Sequence, residues 1–425
     1  MGHNQASLHM FRYRSQLALS LLAGCMAFAH QSMARSLERP RSFPAPPSGR
    51  VSVGVDVLEE QDFRLLRGKR VGLITNQTGV DADGRRTIDV LASAPGVKLV
   101  ALFSPEHGIA GKSQDATILD ATDKATALPI YSLYGNTRRP TSEMLQGIDL
   151  LLFDIQDAGV RFYTYVTTMA YSMEAAASHH IPFVILDRPD PLGGEIIEGP
   201  MLDPGRTSFT AYFPLPVRYG MTIGELAKLF NTENHIGADL EILRMRNWRR
   251  GEVYDQTGLA WISPSPNLGT FNENLLYPGI EILQAGGVSV GRGTDAPFEI
   301  LGAPWIQAEA FAAELNRRSI PGVLLESVSF TPREGPYQAE RCGGVRIRIT
   351  DRDSFRSIRT GLEIADALYR MYPQQFQLQK AVALLGSQST IDRLIKGEAP
   401  ADIIASWFAD LDNFRKMREK YLLYP

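Results

Sequence analysis

The chain has 425 residues, 44% of them hydrophobic and 21% charged, with a formal net charge of -3. That balance suits a globular protein long enough for two domains with cores of their own, and it lacks the basic excess that nucleic-acid binding requires. Two cysteines, Cys25 and Cys342, are too few for a disulfide scaffold or a cysteine-rich zinc site.

At the amino terminus, Arg12 and Arg14 precede Leu17-Ala18-Leu19-Ser20-Leu21-Leu22-Ala23-Gly24, an apolar run far shorter than the roughly 20 residues of a membrane span. Residues 1–34 therefore read as a signal peptide. Two processing routes are open. Leu22-Ala23-Gly24-Cys25 has the form of a lipoprotein box, which would put a lipid anchor on Cys25, whereas Ser32-Met33-Ala34 offers small residues for ordinary cleavage. The apolar run continues through Met26-Ala27-Phe28-Ala29, which favours cleavage. Either route exports the protein, to the periplasm or beyond. Residues 35–50, rich in Pro, Ser and Arg, read as a flexible tether.

Folded sequence begins near Val51. The run from Lys69 to Thr75 is a strand ending in Asn76-Gln77-Thr78-Gly79, where Asn76 either caps the turn or meets a ligand. A helix through Arg86-Thr87-Ile88-Asp89-Val90-Leu91 leads to the buried strand Val97-Lys98-Leu99-Val100-Ala101-Leu102-Phe103. That strand opens into Ser104-Pro105-Glu106-His107-Gly108-Ile109-Ala110-Gly111. Strand, helix and strand at this spacing make a βαβ unit and hence a parallel sheet. The pattern recurs with a strand over Ile148–Ile155, the loop Gln156 to Tyr165, a helix from about Val166 to Ser178, and a strand over Pro182–Asp187.

In a doubly wound sheet such strand ends share one edge, which would gather Asn76, Glu106, Asp157, Arg161 and Asp187 around a crevice. The bland alternatives are that Glu106 caps a helix and that His107 packs in its loop. No Gly-x-Gly-x-x-Gly or Walker sequence opens any helix, so the topology is Rossmann-like without a nucleotide fingerprint. A helix to about Phe230 and a strand over Glu241–Met245 follow.

Trp261-Ile262-Ser263-Pro264-Ser265-Pro266-Asn267-Leu268-Gly269 is too proline-rich for regular structure and reads as a crossing between domains, here divided as 51–260 and 261–425. Beyond it, Gly291-Arg292-Gly293-Thr294 turns tightly while presenting a guanidinium, either to a ligand anion or to a local acid. Gly344 to Thr350 alternates as a strand whose Arg346 and Arg348 form a solvated face. Unpaired Cys342 packs as a small apolar residue. An amphipathic helix runs from Ile403 to Tyr421.

The absence of a Gly-x-Ser-x-Gly elbow and of His-Glu-x-x-His argues against serine and zinc hydrolases and predicts neither metal nor cofactor. Carboxylates with arginines, tyrosines and asparagines at strand ends suit glycoside hydrolysis, with Tyr163, Tyr165 and Trp261 available to sugar faces. Taken together, Ile74-Thr75-Asn76-Gln77-Thr78-Gly79, Ser104-Pro105-Glu106-His107-Gly108, Asp154-Ile155-Gln156-Asp157-Ala158-Gly159-Val160-Arg161-Phe162-Tyr163-Thr164-Tyr165, Asp187-Arg188-Pro189-Asp190-Pro191, Pro264-Ser265-Pro266-Asn267 and Gly291-Arg292-Gly293-Thr294 resemble the bacterial exo-β-N-acetylmuramidases. This is a peptidoglycan-recycling glycosidase family first known as a domain of unknown function.

The resemblance covers Val51 to Pro425. It implies a Rossmann-like amino-terminal domain, a smaller α/β carboxyl-terminal domain, a cleft between them, and release of terminal N-acetylmuramic acid from the non-reducing end of peptidoglycan fragments. Carried onto this chain, it makes Glu106 the catalytic acid, with Asp157 as a base or as an orienting group for the 2-acetamido arm. Arg161 or Arg292 would grip the lactyl carboxylate. Asn76, His107, Tyr163, Tyr165 and Asn267 would recognise hydroxyls and amides. Phe271-Asn272-Glu273-Asn274 departs from the small, Thr- and Ala-containing family pattern, so the cleft rim should differ there. A non-catalytic exported binding protein for muropeptide sugars is the alternative reading, and a phosphate-ester enzyme a weaker third.

Overall fold

The computed structural model describes residue 1 and residues 49–425; the signal segment, Cys25 and nearly all of the tether lie outside the described residues. Seven strands form the main sheet: β1 (Arg70–Thr75), β2 (Lys98–Ser104), β3 (Ala121–Thr122), β4 (Pro129–Ser132), β5 (Leu150–Asp154), β6 (Phe183–Leu186) and, after a small hairpin, β9 (Leu240–Leu243). Their order is β3-β4-β2-β1-β5-β6-β9, parallel throughout except for the edge strand β3. The winding direction reverses at β1, the order of a dinucleotide-binding sheet.

Strand residues alternate between two cores because the sheet is covered on both faces. Leu150, Leu152, Val184 and Leu186 face a cluster that includes Val55 and Leu58 of the helix Gly54–Glu60, and Ile88 and Leu91 of the helix Thr87–Ser93. Leu151, Phe153, Phe183 and Ile185 face the other way, toward the helices Thr164–Ser178 and Ile223–Glu233 and the rest of the chain. The helix expected from Val166 begins two residues earlier, at Thr164, and that shift has consequences for the site.

The hairpin β7 (Glu198–Met201) and β8 (Pro216–Arg218) leads by way of β9 to the proline-rich crossing and the helix Phe271–Gln284. Thr270 opens that helix with a capping box to Glu273, so the atypical Phe271-Asn272-Glu273-Asn274 stretch is a helix start. Pro278 breaks the internal ladder. The Ser357 hydroxyl accepts from Gly279 N (2.9 Å) and donates to the Leu276 carbonyl (3.0 Å). Close approach to the helix Ser357–Met371 requires glycine on both sides: a Cβ on Gly361 would lie 2.3 Å from the Gly279 carbonyl oxygen.

A second sheet, β10 (Ile300–Ala303), β11 (Val323–Phe330) and β12 (Cys342–Ile349), is antiparallel in the order β10-β12-β11. On β12, Arg346 pairs with Glu299 and Arg348 with Glu326. The single amphipathic helix expected from Ile403 to Tyr421 is instead Pro400–Ser406 followed by Phe408–Arg418 and a short 3-10 turn. Ser406 bonds back to the Ile403 carbonyl (2.6 Å) where the run is interrupted, a local bond that bends helices.

The carboxyl-terminal residues return to the first sheet. Tyr424 donates its hydroxyl hydrogen to the buried Asp187 and accepts from Met245 N (3.0 Å), Leu423 N donates to Glu225 (2.7 Å), and Arg250 N donates to the Pro425 carbonyl (2.8 Å). Asp187, expected at the crevice, is thus occupied by Tyr424, the Thr222 hydroxyl (2.8 Å) and Gly224 N (2.8 Å). Tyr424→Phe is expected to lower the unfolding free energy by about 1–3 kcal/mol, measured as a lower denaturant midpoint at constant slope. An unchanged midpoint would show the tail to be passive.

Candidate active site

The switch point between β1 and β5, where such sheets usually bind ligands, is filled by the protein itself. Thr75 donates to the Asp154 carbonyl (2.8 Å), and the Asp154 carboxylate is taken by Thr87 (2.5 Å) and Arg188 (2.5 Å). Asn76 Oδ1 accepts from Thr78 N (2.9 Å) and from the Thr78 hydroxyl (2.6 Å), and the same hydroxyl oxygen accepts from Gln156 N (2.9 Å). Asn76 is therefore a turn cap.

The open cleft lies to one side, with a volume of about 450 Å³, a size suited to a small ligand. Its walls come from the loop after β2 (Glu106, His107), the loop after β4 (Tyr134, Arg138) and the segment Phe162-Tyr163-Thr164 after β5. Ser208-Phe209-Thr210, Ser265, Tyr277, Glu281, Arg292 and Leu384 complete it. Both the first sheet and the carboxyl-terminal half contribute.

Glu106 is half-buried, and its Oε2 accepts from the Thr164 hydroxyl at 2.5 Å. The early start of the helix Thr164–Ser178 puts that hydroxyl within reach. Tyr134 abuts Glu106: burial, then the negative charge of Glu106 and a hydrogen bond to it, push the phenol up to about 12. His107 takes a left-handed backbone conformation, φ 69°, unusual for a side chain of its size. Its Nδ1 lies 2.7 Å from the Ser113 carbonyl oxygen, which anchors the loop.

Across the cleft, Arg292 Nη2 contacts Glu281 Oε1 at 2.7 Å, and the guanidinium sits over the Phe298 ring at 5.3 Å. Burial raises the Glu281 carboxyl above its usual range, an effect that Arg292 partly offsets. Tyr163 and Tyr277 pack edge to face, 5.9 Å between centroids, and burial holds both phenols well above their ordinary range.

The remaining expected site residues stand behind the walls. The fully buried Tyr165 donates to the Pro264 carbonyl (2.6 Å). Asn267 is buried in the crossing and does not line the cleft. Asp157 is buried as well; its Oδ2 accepts from Gly159 N (2.8 Å) and the Tyr219 hydroxyl, and burial pushes its carboxyl up to about 6.

Arg161, expected to grip a substrate carboxylate, is 2% exposed and gives its guanidinium to four backbone carbonyls: Pro200 (3.2 Å), Leu215 (2.6 Å), Leu384 (3.0 Å) and Leu385 (2.7 Å). Burial among neutral acceptors lowers it to about 9. It is a clamp, not a ligand-binding group.

Sequence reading missed Tyr134, Arg138, Thr164, Ser208, Thr210, Ser265, Tyr277 and Glu281. Tyr134 follows a strand end as Glu106 does, and Tyr277 and Glu281 are four apart on one helix face; those were the available signals. Ser208 and Thr210 gave none. Among the described residues, no cluster of His, Cys, Asp or Glu is arranged to hold a metal, and no helix is long and apolar enough to cross a membrane.

Known proteins match most of the described chain. A family model for the amino-terminal part of the exo-beta-N-acetylmuramidase NamZ matches residues 71–272, and one for its carboxyl-terminal part matches residues 275–424. The chain is 43% identical over 379 residues to the peptidoglycan beta-N-acetylmuramidase NamZ of Bacillus subtilis (strain 168), covering 88% of this chain and 92% of that protein. A crystal structure of a DUF1343 family protein from Bacteroides fragilis NCTC 9343 superposes with a TM-score of 0.83 at 39% identity, over 90% of this chain and 100% of that one. A second from the same organism gives a TM-score of 0.73 at 29% identity, over 88% and 99%.

Replacing Arg161 with Met strands the four carbonyls and is expected to cost about 2–4 kcal/mol of stability. KM should stay unchanged at a temperature where the variant is folded; a large KM increase with intact stability would return Arg161 to the binding site. The buried carboxyls set the pH dependence of stability. Burial raises Asp157 to about 6 and Asp187 and Asp190 to about 7, from an ordinary 3.8. The folded state thus keeps protons that the unfolded chain releases, so these groups favour folding most below about pH 4 and progressively less up to about pH 7. Asp190→Asn is expected to flatten the fall in unfolding midpoint between about pH 5 and 7, as read by denaturation at three pH values.

Proposed function

This chain belongs to the NamZ family of exo-β-N-acetylmuramidases, and we propose that it hydrolyses the bond to a terminal N-acetylmuramic acid with Glu106 as the proton donor. It is a glycosidase acting on peptidoglycan N-acetylmuramic acid. The observation that carries the role of Glu106 is its position: it is a carboxyl at the cleft surface, fixed by the Thr164 hydroxyl on one oxygen and flanked by Tyr134. A leaving glycosidic oxygen needs a proton as the bond breaks, and a carboxyl held in one rotamer delivers it without reorganisation.

Asp157 fits a positioning role better than that of a base. Its interaction with Gly159 N shapes the segment that carries Phe162, Tyr163 and Thr164, and it does not line the cleft. Glu281 is the other carboxyl facing the cleft and is balanced by Arg292. That pair, with Tyr163 and Ser265, offers donors and acceptors suited to sugar hydroxyls and the acetamido group. His107, locked by Ser113, lines the same wall. Export is part of the proposal: Arg12, Arg14 and the apolar run after them support it, and peptidoglycan lies outside the cytoplasmic membrane.

Glu106→Gln keeps the shape and removes the proton. With a chromogenic N-acetylmuramic acid β-glycoside, its kcat is expected to fall by about three orders of magnitude with KM changed by less than about threefold. Retention of more than a tenth of wild-type kcat would exclude Glu106 as the acid. Release from the muramic substrate but not from its N-acetylglucosamine analogue is the accompanying specificity test.

A further inference from the structure

With Glu281 balanced by Arg292 and Arg161 buried behind the wall, one cleft-lining guanidinium has no protein carboxylate. Arg138 and its neighbour differ sharply. Arg139 is bound to Glu174 at 2.7 Å and stacked on Tyr171 at 3.4 Å. Arg138 lines the cleft with no hydrogen bond or ion pair to any of the described residues, its guanidinium carbon 4.1 Å from the centroid of Phe209 and 5.6 Å from that of Tyr134. Those two rings lie 5.8 Å apart. Such a platform holds the plane of a guanidinium, removes water from one face and leaves the N–H edge open. Ser208 and Thr210, with hydroxyls 3.1 Å apart, flank Phe209 on the same wall. Tyr134 lines the same cleft between this platform and Glu106, which puts Arg138 and Glu106 on one small site.

We propose that Arg138 receives the lactyl carboxylate of the terminal N-acetylmuramic acid and that this contact separates muramic acid from glucosamine glycosides. The assignment rests on the exo-muramidase function given above. The lactyl carboxylate is the only formal charge by which the two sugars differ, and a planar fork free of a competing acid is the group that reads it. Arg292 is poorly suited: a second carboxylate placed there would lie beside Glu281, and like charges at that range oppose one another.

The test compares chromogenic β-glycosides of N-acetylmuramic acid and of its lactyl methyl ester, with wild type, Arg138→Gln and Arg138→Lys. In the wild type the ester is expected to be about 10–100-fold poorer in kcat/KM than the acid. Arg138→Gln should bring the acid down to the level of the ester, mostly through KM, while leaving the ester within about twofold. Arg138→Lys should recover part of the loss on the acid. The exposed position of Arg138 predicts unchanged thermal stability, which checks folding. Equal losses on acid and ester, or an unchanged KM for the acid, would overturn the assignment while leaving the function intact. A wild type inactive on the chromogenic acid and on a disaccharide with terminal muramic acid would overturn both.

Discussion

The buried guanidinium of Arg161 is the contact on which the cleft depends. One side chain, at the end of the loop after β5, reaches carbonyls in β7, beside β8 and at Leu384 and Leu385 far along the chain. Burying a cation costs several kcal/mol unless its donors are met, and both terminal nitrogens of Arg161 are met by these carbonyls, so the site tolerates little movement of the four relative to one another. The three residues that follow, Phe162, Tyr163 and Thr164, form the cleft wall, and Thr164 holds Glu106. A charge placed for packing thus bears on the geometry of the Glu106 carboxyl in the cleft.

The topology shows how a nucleotide-type sheet serves a sugar. The strand order would ordinarily leave a crevice at the β1–β5 switch point. Here the Asp154–Arg188–Thr87 cluster and the Asn76–Thr78–Gln156 chain close it with charged and neutral hydrogen bonds. With the central crevice closed, a ligand-sized cleft lies toward the carboxyl-terminal half, where the loops after β2 and β4 meet the helix Phe271–Gln284 and the Arg292 turn. The open cleft stands beside the switch point, at the ends of β2 and β4 on the same sheet edge.

The sheet was legible because a doubly covered parallel strand must be apolar on both faces, and the runs at Lys98–Ser104 and Leu150–Asp154 are. Glu106 was legible as a cleft residue because a carboxyl between a proline and a nearby glycine at a strand end has few structural duties. Arg161 was misread for a physical reason: in sequence, a cation bound for four carbonyls looks the same as one bound for a ligand. Arg138 and Glu281 were missed because their significance lies in which neighbours are paired, and pairing is a property of the folded chain. The break at Trp407 escaped for a related reason, since the apolar period continues through it and the bond from Ser406 to the Ile403 carbonyl at the interruption is a property of the folded chain.

The charge arrangement in the cleft follows from these constraints. Its floor carries Glu281 with Arg292, a pair that is neutral at short range and presents only dipoles to a ligand. Another edge carries Glu106, held by the Thr164 hydroxyl and not by a cation, with Tyr134 beside it in the cleft. An arginine bound directly to Glu106 would have stabilised the ionised carboxylate and weakened it as a proton donor. The unbalanced positive charge stands instead at the rim, on Phe209 and separated from Glu106 by Tyr134. In the proposed roles, that spacing would let the protein offer a cation to an anionic sugar without pairing it to the proton donor. Recognition of an anion and proton donation would call for opposite electrostatics within one small cleft, and the rings of Tyr134 and Phe209 hold Arg138 on its own side of that division.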